Sequence, residues 1–217
     1  MSRLSDALSD GSFVITSEIG PEKGTNLEKC LNDAELIRDK VVAVNVTDNQ
    51  SAVMRVGSLA VCHLLKERGI EPVFQMVCRD RNRIALQSDL LSASVLGIEN
   101  VLCLTGDHNV LGDHNESKPV FDLDSVQLLE AVSSLNNGYD LAGHELNGTP
   151  KLFPGAVVTP GLDPIEPQMI KMEKKIKAGA RFFQTQAIYE TRQFEDFMKK
   201  VGNFKVPVLT LVWFAIF

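Results

Sequence analysis

Short apolar runs rich in β-branched residues recur along this chain, and longer amphipathic stretches separate them. The runs are FVITSEI from Phe13, VVAVNVT from Val41, PVFQMVC from Pro72, NVLCLTG from Asn100, PGAVVTP from Pro154, RFFQTQAIY from Arg181 and VPVLTLVWF from Val206. Most are apolar at successive positions, the pattern of parallel strands covered on both faces. Their starts lie 25–31 residues apart, except for one interval of 54 residues between Asn100 and Pro154.

The intervening stretches carry helical spacing. NLEKCLNDAELIRDK places Leu27, Cys30, Leu31, Ala34 and Ile37 on one face. SLAVCHLLKERG and ALQSDLLSASVLG behave alike, and MIKMEKKIKAG is a more charged helix. Gly69, Gly97, Gly179 and Gly202 each stand at a helix end, just before the next strand. A left-handed residue after the last helical turn favours glycine, so all of them are predicted C-terminal caps. The long interval holds one further helix, DLDSVQLLEAVSSL, within polar, Gly-rich sequence. It is predicted to be an elaborated loop at the C-terminal face of the strands.

A βα unit every ~25–30 residues is the period of the (β/α)₈ TIM barrel, in which ~250 residues carry eight units. A doubly wound sheet shares that period. Seven strands are countable up to Phe217, and an eighth unit needs roughly 30 more residues. The predicted fold is therefore α/β, a single (β/α)-barrel domain over residues 1–217 lacking the eighth βα unit. Such a chain is either truncated or completed by a partner, because an open barrel exposes parallel edges.

Composition narrows the function classes. Of 217 residues, 44% are apolar and 23% charged, an ordinary soluble balance. The net charge of −6 argues against a nucleic-acid or anionic-membrane binder, whose footprint is basic. MSRLSDALSDG has no apolar core and reads as no signal peptide. The apolar tail from Val206 is 12 residues long, whereas a membrane span needs about 20. Cys30, Cys62, Cys78 and Cys103 form neither a CxxC pair nor a zinc spacing. They read as buried free thiols of a cytoplasmic protein.

In a barrel the chemistry lies at the C-terminal ends of the strands. Those ends carry Glu18, Thr47-Asp48-Asn49, Arg79-Asp80-Arg81, Thr105-Gly106-Asp107-His108, Thr159-Pro160-Gly161 and Gln184-Thr185-Gln186. Glu18 is flanked by apolar residues in ITSEIGP. A carboxyl in such surroundings has a raised pKa and serves as a general acid, unless it is merely a solvated strand end. Gly106 allows a ligand close to the backbone, and Asp107 faces the barrel mouth or closes an Asx turn. Asp107-His108 and Asp113-His114 lack a further ligand cluster, so no metal site is predicted. CRDRNR, from Cys78 to Arg83, is either a phosphate-binding patch or a loop with internal Asp–Arg pairs. Gln184 and Gln186 share one strand face, suited either to a flat heterocycle or to an internal polar network. No GxGxxG or P-loop is present.

Together TSEIGPEKG, VNVTDNQSAVMR, QMVCRDRNRIALQSDLL, LGIENVLCLTGDH, KPVFDLDSVQLL and KIKAGARFFQTQAIYE, in this order, resemble the methylenetetrahydrofolate reductase family. The similarity is greatest to forms of acetogenic and related bacteria and archaea, and runs from about Phe13 to Val208. The resemblance implies a TIM barrel with non-covalent FAD, and reduction of 5,10-methylenetetrahydrofolate to 5-methyltetrahydrofolate in one-carbon metabolism that feeds methionine biosynthesis. It implies Glu18 as general acid, Asp107 beside the flavin and Gln186 on the folate. Implied FAD contacts are Thr47, Gln75, Thr105, Gly106, Asp107, Phe121, Asp122, Thr159, Asp163 and Lys175. It also implies a cytoplasmic oligomer.

The chain departs from the family at several points. Ile19-Gly20-Pro21-Glu22 replaces a common double-Phe-Pro-Pro run; Thr105 replaces a common Arg and Gln75 a common His. Thr159 and Asp163 stand where Tyr and His are common. The electron donor is accordingly NAD(P)H or an electron-donating partner subunit. A pterin-binding, methyltransferase-like module and a non-catalytic fragment or subunit are the competing readings.

Overall fold

A computed structural model describes residues 2–210. After helix α1 (Arg3–Ser9), strands and helices alternate: β1 (Thr16–Ile19), α2 (Glu28–Ile37), β2 (Ala43–Val46), α3 (Ser58–Glu67), β3 (Pro72–Val77), α4 (Arg83–Val95), β4 (Asn100–Leu104), α5 (Ser125–Asn136), β5 (Phe153–Val158), α6 (Glu166–Lys177), β6 (Phe182–Thr185), α7 (Thr191–Val201) and β7 (Val208–Leu209). The seven strands pair only with their sequence neighbours, all in parallel. Consecutive parallel strands in sequence order, with a helix on every crossover, are the TIM-barrel arrangement, and this order decides against the doubly wound sheet that shares the period. The tail reading continued into residues 211–217, which lie outside the described residues.

The strands are shorter than the apolar runs that announce them. RFFQTQAIY reads as a strand to Tyr189, but β6 ends at Thr185, where its neighbour β5 ends at Val158. The Gln186 N–H still donates to the Val158 carbonyl at 3.0 Å, so Gln186 stands at the very end of the pairing and the run beyond it leaves the sheet.

Two packing layers hold the barrel. Outside, the helices bury their apolar stripes on the sheet. Cys30 and Ala34 of α2 are buried, and Leu27, Leu31 and Ile37 pack beside them, the face that the spacing predicts. Inside, Ala43, Val73, Leu102 and Phe182 form a second cluster with Leu4. Leu4 belongs to α1, which sequence patterning did not reveal. This helix is capped by the Ser2 hydroxyl and closes the barrel floor. Ser2 Oγ donates to Asn100 Oδ1 at 2.6 Å, and Asn100 Nδ2 donates to Glu71 Oε1 at 2.8 Å.

The glycine caps divide. Gly69, Gly97 and Gly179 are left-handed, at φ +72°, +76° and +113°. Gly202 is right-handed at φ −54°, because α7 runs on into a short 3-10 turn over Gly202–Phe204. The left-handed residue there is Lys205, at φ +52°. The long interval also divides. Residues 105–124 lie at the C-terminal face of the strands, but residues 137–152 follow α5 and lead from its far end into β5. Asn136 ties that end by accepting from the Leu152 N–H at 2.9 Å and donating to its carbonyl at 2.8 Å.

Candidate active site

The C-terminal ends of the strands surround a cavity of about 580 Å³, within the size range of small-molecule sites. Glu18, Thr47, Gln75, Thr105, Gly106, Asp107, Thr159, Lys175 and Gln186 line it, together with Gln184. Strand pleat explains the convergence. Glu18, Gln75, Val157 and Gln184 take the inward positions of their strands, one or two residues above the apolar floor.

Glu18 is exposed to the open cavity at its side-chain end, while the surrounding strands desolvate it in part. That desolvation raises its pKa above the ordinary carboxyl value, and a hydrogen bond from Gln75 opposes the rise without cancelling it. Gln75 Nε2 donates to Glu18 Oε2 at 3.0 Å. Thr47 and Gln184 are 3% and 7% exposed, and both line the cavity. Thr47 Oγ1 and Gln184 Oε1 have no hydrogen-bond partner among the described residues. Buried polar atoms are almost always paired, so these two point to a polar ligand on that wall.

Two cations come from α6. Lys175 is 7% exposed and its Nζ donates to the Val157 carbonyl at 2.6 Å. Burial, and secondarily the charge of Lys171, bring its pKa down to about 8. Lys171, which also lines the cavity, was not singled out in the sequence, where it is one of several lysines on a charged helix.

The CRDRNR segment resolves into internal pairs. Arg79 is 2% exposed. Its guanidinium donates to both Asp80 oxygens at 2.8 Å and to the carbonyls of Asn49 and Asp107 at 3.1 Å. It therefore clamps the loops after β2 and β4 to the end of β3. Burial pushes the Asp80 carboxyl up, but hydrogen bonds from Arg79 and Asn49 outweigh it and hold the pKa below the usual range. Arg81 pairs with the fully buried Asp48 at 2.7 Å and with Asp89 at 2.9 Å; Arg83 grips Asp122 at 2.9 Å. Gly106, at φ +93°, holds a backbone conformation that strains any larger residue, and a Cβ there would sit tightly, 3.1 Å from Val77 and 3.3 Å from Arg79.

Three residues named as FAD contacts are not brought to the cavity wall. Asp122 is held by Arg83. Phe121 stacks on His108 with ring centroids 6.5 Å apart, and Asp163 lies exposed in the loop after β5. Thr105 has a structural duty as well, since its Oγ1 accepts from the Ser125 N–H at 3.2 Å at the start of α5. Asp113 pairs with Lys23 and His114, and no group of three or more metal-ligating side chains occurs among the described residues. All four cysteines are buried free thiols; burial pushes Cys78 up to about 12. No helix of the described residues is long and apolar enough to cross a membrane.

Comparison with solved structures places the fold. An uncharacterized protein from Clostridium thermocellum that binds two copies of 5-methyl-5,6,7,8-tetrahydrofolic acid superimposes with a TM-score of 0.60 at 16% identity, over 96% of this chain and 68% of that one. A 2,3-dimethylmalate lyase of the PEP mutase/isocitrate lyase superfamily gives 0.62 at 11% identity, over 97% and 71%. An oxaloacetate acetylhydrolase gives 0.58 at 11% identity, over 94% and 68%. At such identities these likenesses speak for the barrel alone. The sequence itself is more specific: residues 3–212 match the family described as methylenetetrahydrofolate reductase, and the chain belongs to that family.

Proposed function

We propose that this chain reduces 5,10-methylenetetrahydrofolate to 5-methyltetrahydrofolate with FAD, in the cytoplasm, with Glu18 as the general acid. The observation that carries the reading is the placing of the Glu18 carboxyl, with Gln75 hydrogen-bonded to it, on the wall of a ligand-sized cavity; partial desolvation, which raises its pKa, supports the role. Membership of the family and the folate bound by the Clostridium thermocellum protein support it.

The wall fits FAD on its own chemistry. Thr47 Oγ1 and Gln184 Oε1 are buried without partners, and an isoalloxazine edge offers donors and acceptors to such atoms. Lys171 and Lys175 offer positive charge to a diphosphate. Thr47, Gln75, Thr105, Gly106, Asp107, Thr159 and Lys175 would hold the cofactor. When bound, FAD supplies the hydride. Glu18 in its acid form protonates a ring nitrogen of the folate, opening the five-membered ring to an electrophilic iminium. Asp107, exposed at the mouth, faces the pterin, and Gln186 hydrogen-bonds to it. Electrons reach the site from NAD(P)H or a partner subunit.

The test is the absorbance spectrum of the purified chain with added FAD, followed by anaerobic addition of 5-methyltetrahydrofolate. A flavin spectrum that bleaches is expected, and Glu18→Gln should keep the flavin and lose folate turnover. A folded protein that takes up no flavin refutes the reading. Folate binding without flavin binding would instead favour a pterin-binding module.

A further inference from the structure

Glu18 has one hydrogen-bond partner among the described residues, the Gln75 amide. Gln75 sits on β3 and reaches across β2 to a carboxyl on β1. Asn45, which lies in register with Glu18 on the intervening strand, is turned elsewhere and donates to the Ser17 carbonyl at 3.1 Å. The Gln75 backbone is itself fixed: Ser58 Oγ donates to its carbonyl at 2.9 Å, and the next inward residue, Val77, donates its N–H to Asp48 at 3.0 Å. Gln75 itself is buried, at 6% exposure.

We infer that Gln75 is the positioning residue of this site, holding the Glu18 carboxyl at one point of the cavity wall in both of its protonation states. The inference rests on the reductase reading for its consequence in turnover, but not for its chemistry. An amide suits the task because it carries a donor and an acceptor on one planar group. Through Nε2 it donates to the carboxylate. Rotated by half a turn, it accepts through Oε1 from the carboxylic acid. The acid therefore stays in place while it gives up its proton and regains it.

The charged groups around Glu18 come from every neighbouring element. Asp48 follows β2, Arg79 follows β3, Asp107 follows β4, and Lys171 and Lys175 lie on α6. Glu22, Lys29 and Asp33 line a second cleft beside β1, which Glu18 also borders. None of them forms an ion pair with Glu18 among the described residues, whereas Asp48 and Arg79 are paired with other groups. The Gln75 amide is thus the specific contact on this carboxyl, opposing the desolvation that raises its pKa.

The experiment follows the Glu18 carboxyl by ¹³C NMR titration, with Glu18→Gln to assign the signal, in wild type and in Gln75→Leu. Leucine keeps the bulk and removes both donor and acceptor. The midpoint should rise by about one pH unit, the effect of removing one hydrogen bond to a charged group. The alkaline limb of kcat/KM should move up equally, with kcat falling more than KM changes. Gln75→His, whose ring restores a donor, should return the midpoint towards wild type. If Gln75→Leu does not fold, Gln75→Asn, which is too short to reach Glu18, takes its place in the titration. An unchanged or lowered midpoint in a folded variant overturns the inference. If wild type shows no folate turnover the function reading fails, while the titration still decides the role of Gln75.

Discussion

Gly155→Ala tests the packing on which the cavity stands. Gly155 occupies an inward position of β5 directly opposite Phe182 of β6. A Cβ there would lie 2.2 Å from Phe182 Cζ and 2.5 Å from both Cε atoms. Ordinary carbon contacts are about 3.5–4.0 Å, so the ring has to retreat by more than 1 Å. It has nowhere to go. Phe182 is fully buried, its other side is stacked on Phe153 at 5.4 Å, and Leu4, Ala43, Val73 and Leu102 complete its surroundings. Overpacking of this kind costs about 1–3 kcal/mol, and a rigid ring in a closed cluster belongs at the upper end, ~3 kcal/mol. Urea unfolding followed by circular dichroism should show a lower midpoint at unchanged slope. Phe182→Leu alone should cost ~1–2 kcal/mol through lost volume. Combined, the two should cost roughly 1–2 kcal/mol less than their sum, since the shortened side chain vacates the space that the methyl needs. Additive losses, or a Gly155→Ala protein within ~0.5 kcal/mol of wild type, would refute the reasoning.

Two further outcomes concern the walls of the site. Arg79→Met strips the donors from the Asn49 and Asp107 carbonyls and from Asp80; a loss of about 2–4 kcal/mol is expected. Amide exchange at both loops should quicken with it, and an unshifted unfolding midpoint contradicts the clamp. Lys175 has a folded pKa of about 8, below its ordinary value near 10.4, so its charge opposes folding below pH 8. That penalty fades as pH rises from about 8 towards 10, so wild type should gain stability relative to Lys175→Met over this range. Urea midpoints of the pair at pH 7 and 9.5 measure it, and a gap that does not change with pH removes the argument.

The barrel was legible because its period depends on local features. Apolar runs of β-branched residues and glycines at +72°, +76° and +113° leave their mark on a few neighbouring positions. The site was legible in part for the same reason: strand ends are where polar residues interrupt apolar runs. What sequence did not disclose is long-range. The docking of α1 on the floor depends on Leu4 meeting Phe182 and Leu102. Whether an arginine of CRDRNR is free depends on Asp48, Asp89 and Asp122, which come from three other segments. The cap at Gly202 shifted to Lys205 because a 3-10 extension gains a turn of hydrogen bonds that local spacing does not announce.

The clamp and the wall share a property of order in time. Glu18 lies on the first strand and Gln186 just beyond the sixth, with the floor helix preceding both. Contacts so distant in sequence form late, because loop closure has to be completed before they repay it. The cavity wall is assembled from strands and loops spread over most of the described chain. A ligand that binds this wall therefore protects the whole barrel and not one loop. Hydrogen exchange in β1 and β6 should slow together on binding, by the increment that mass action sets for global unfolding.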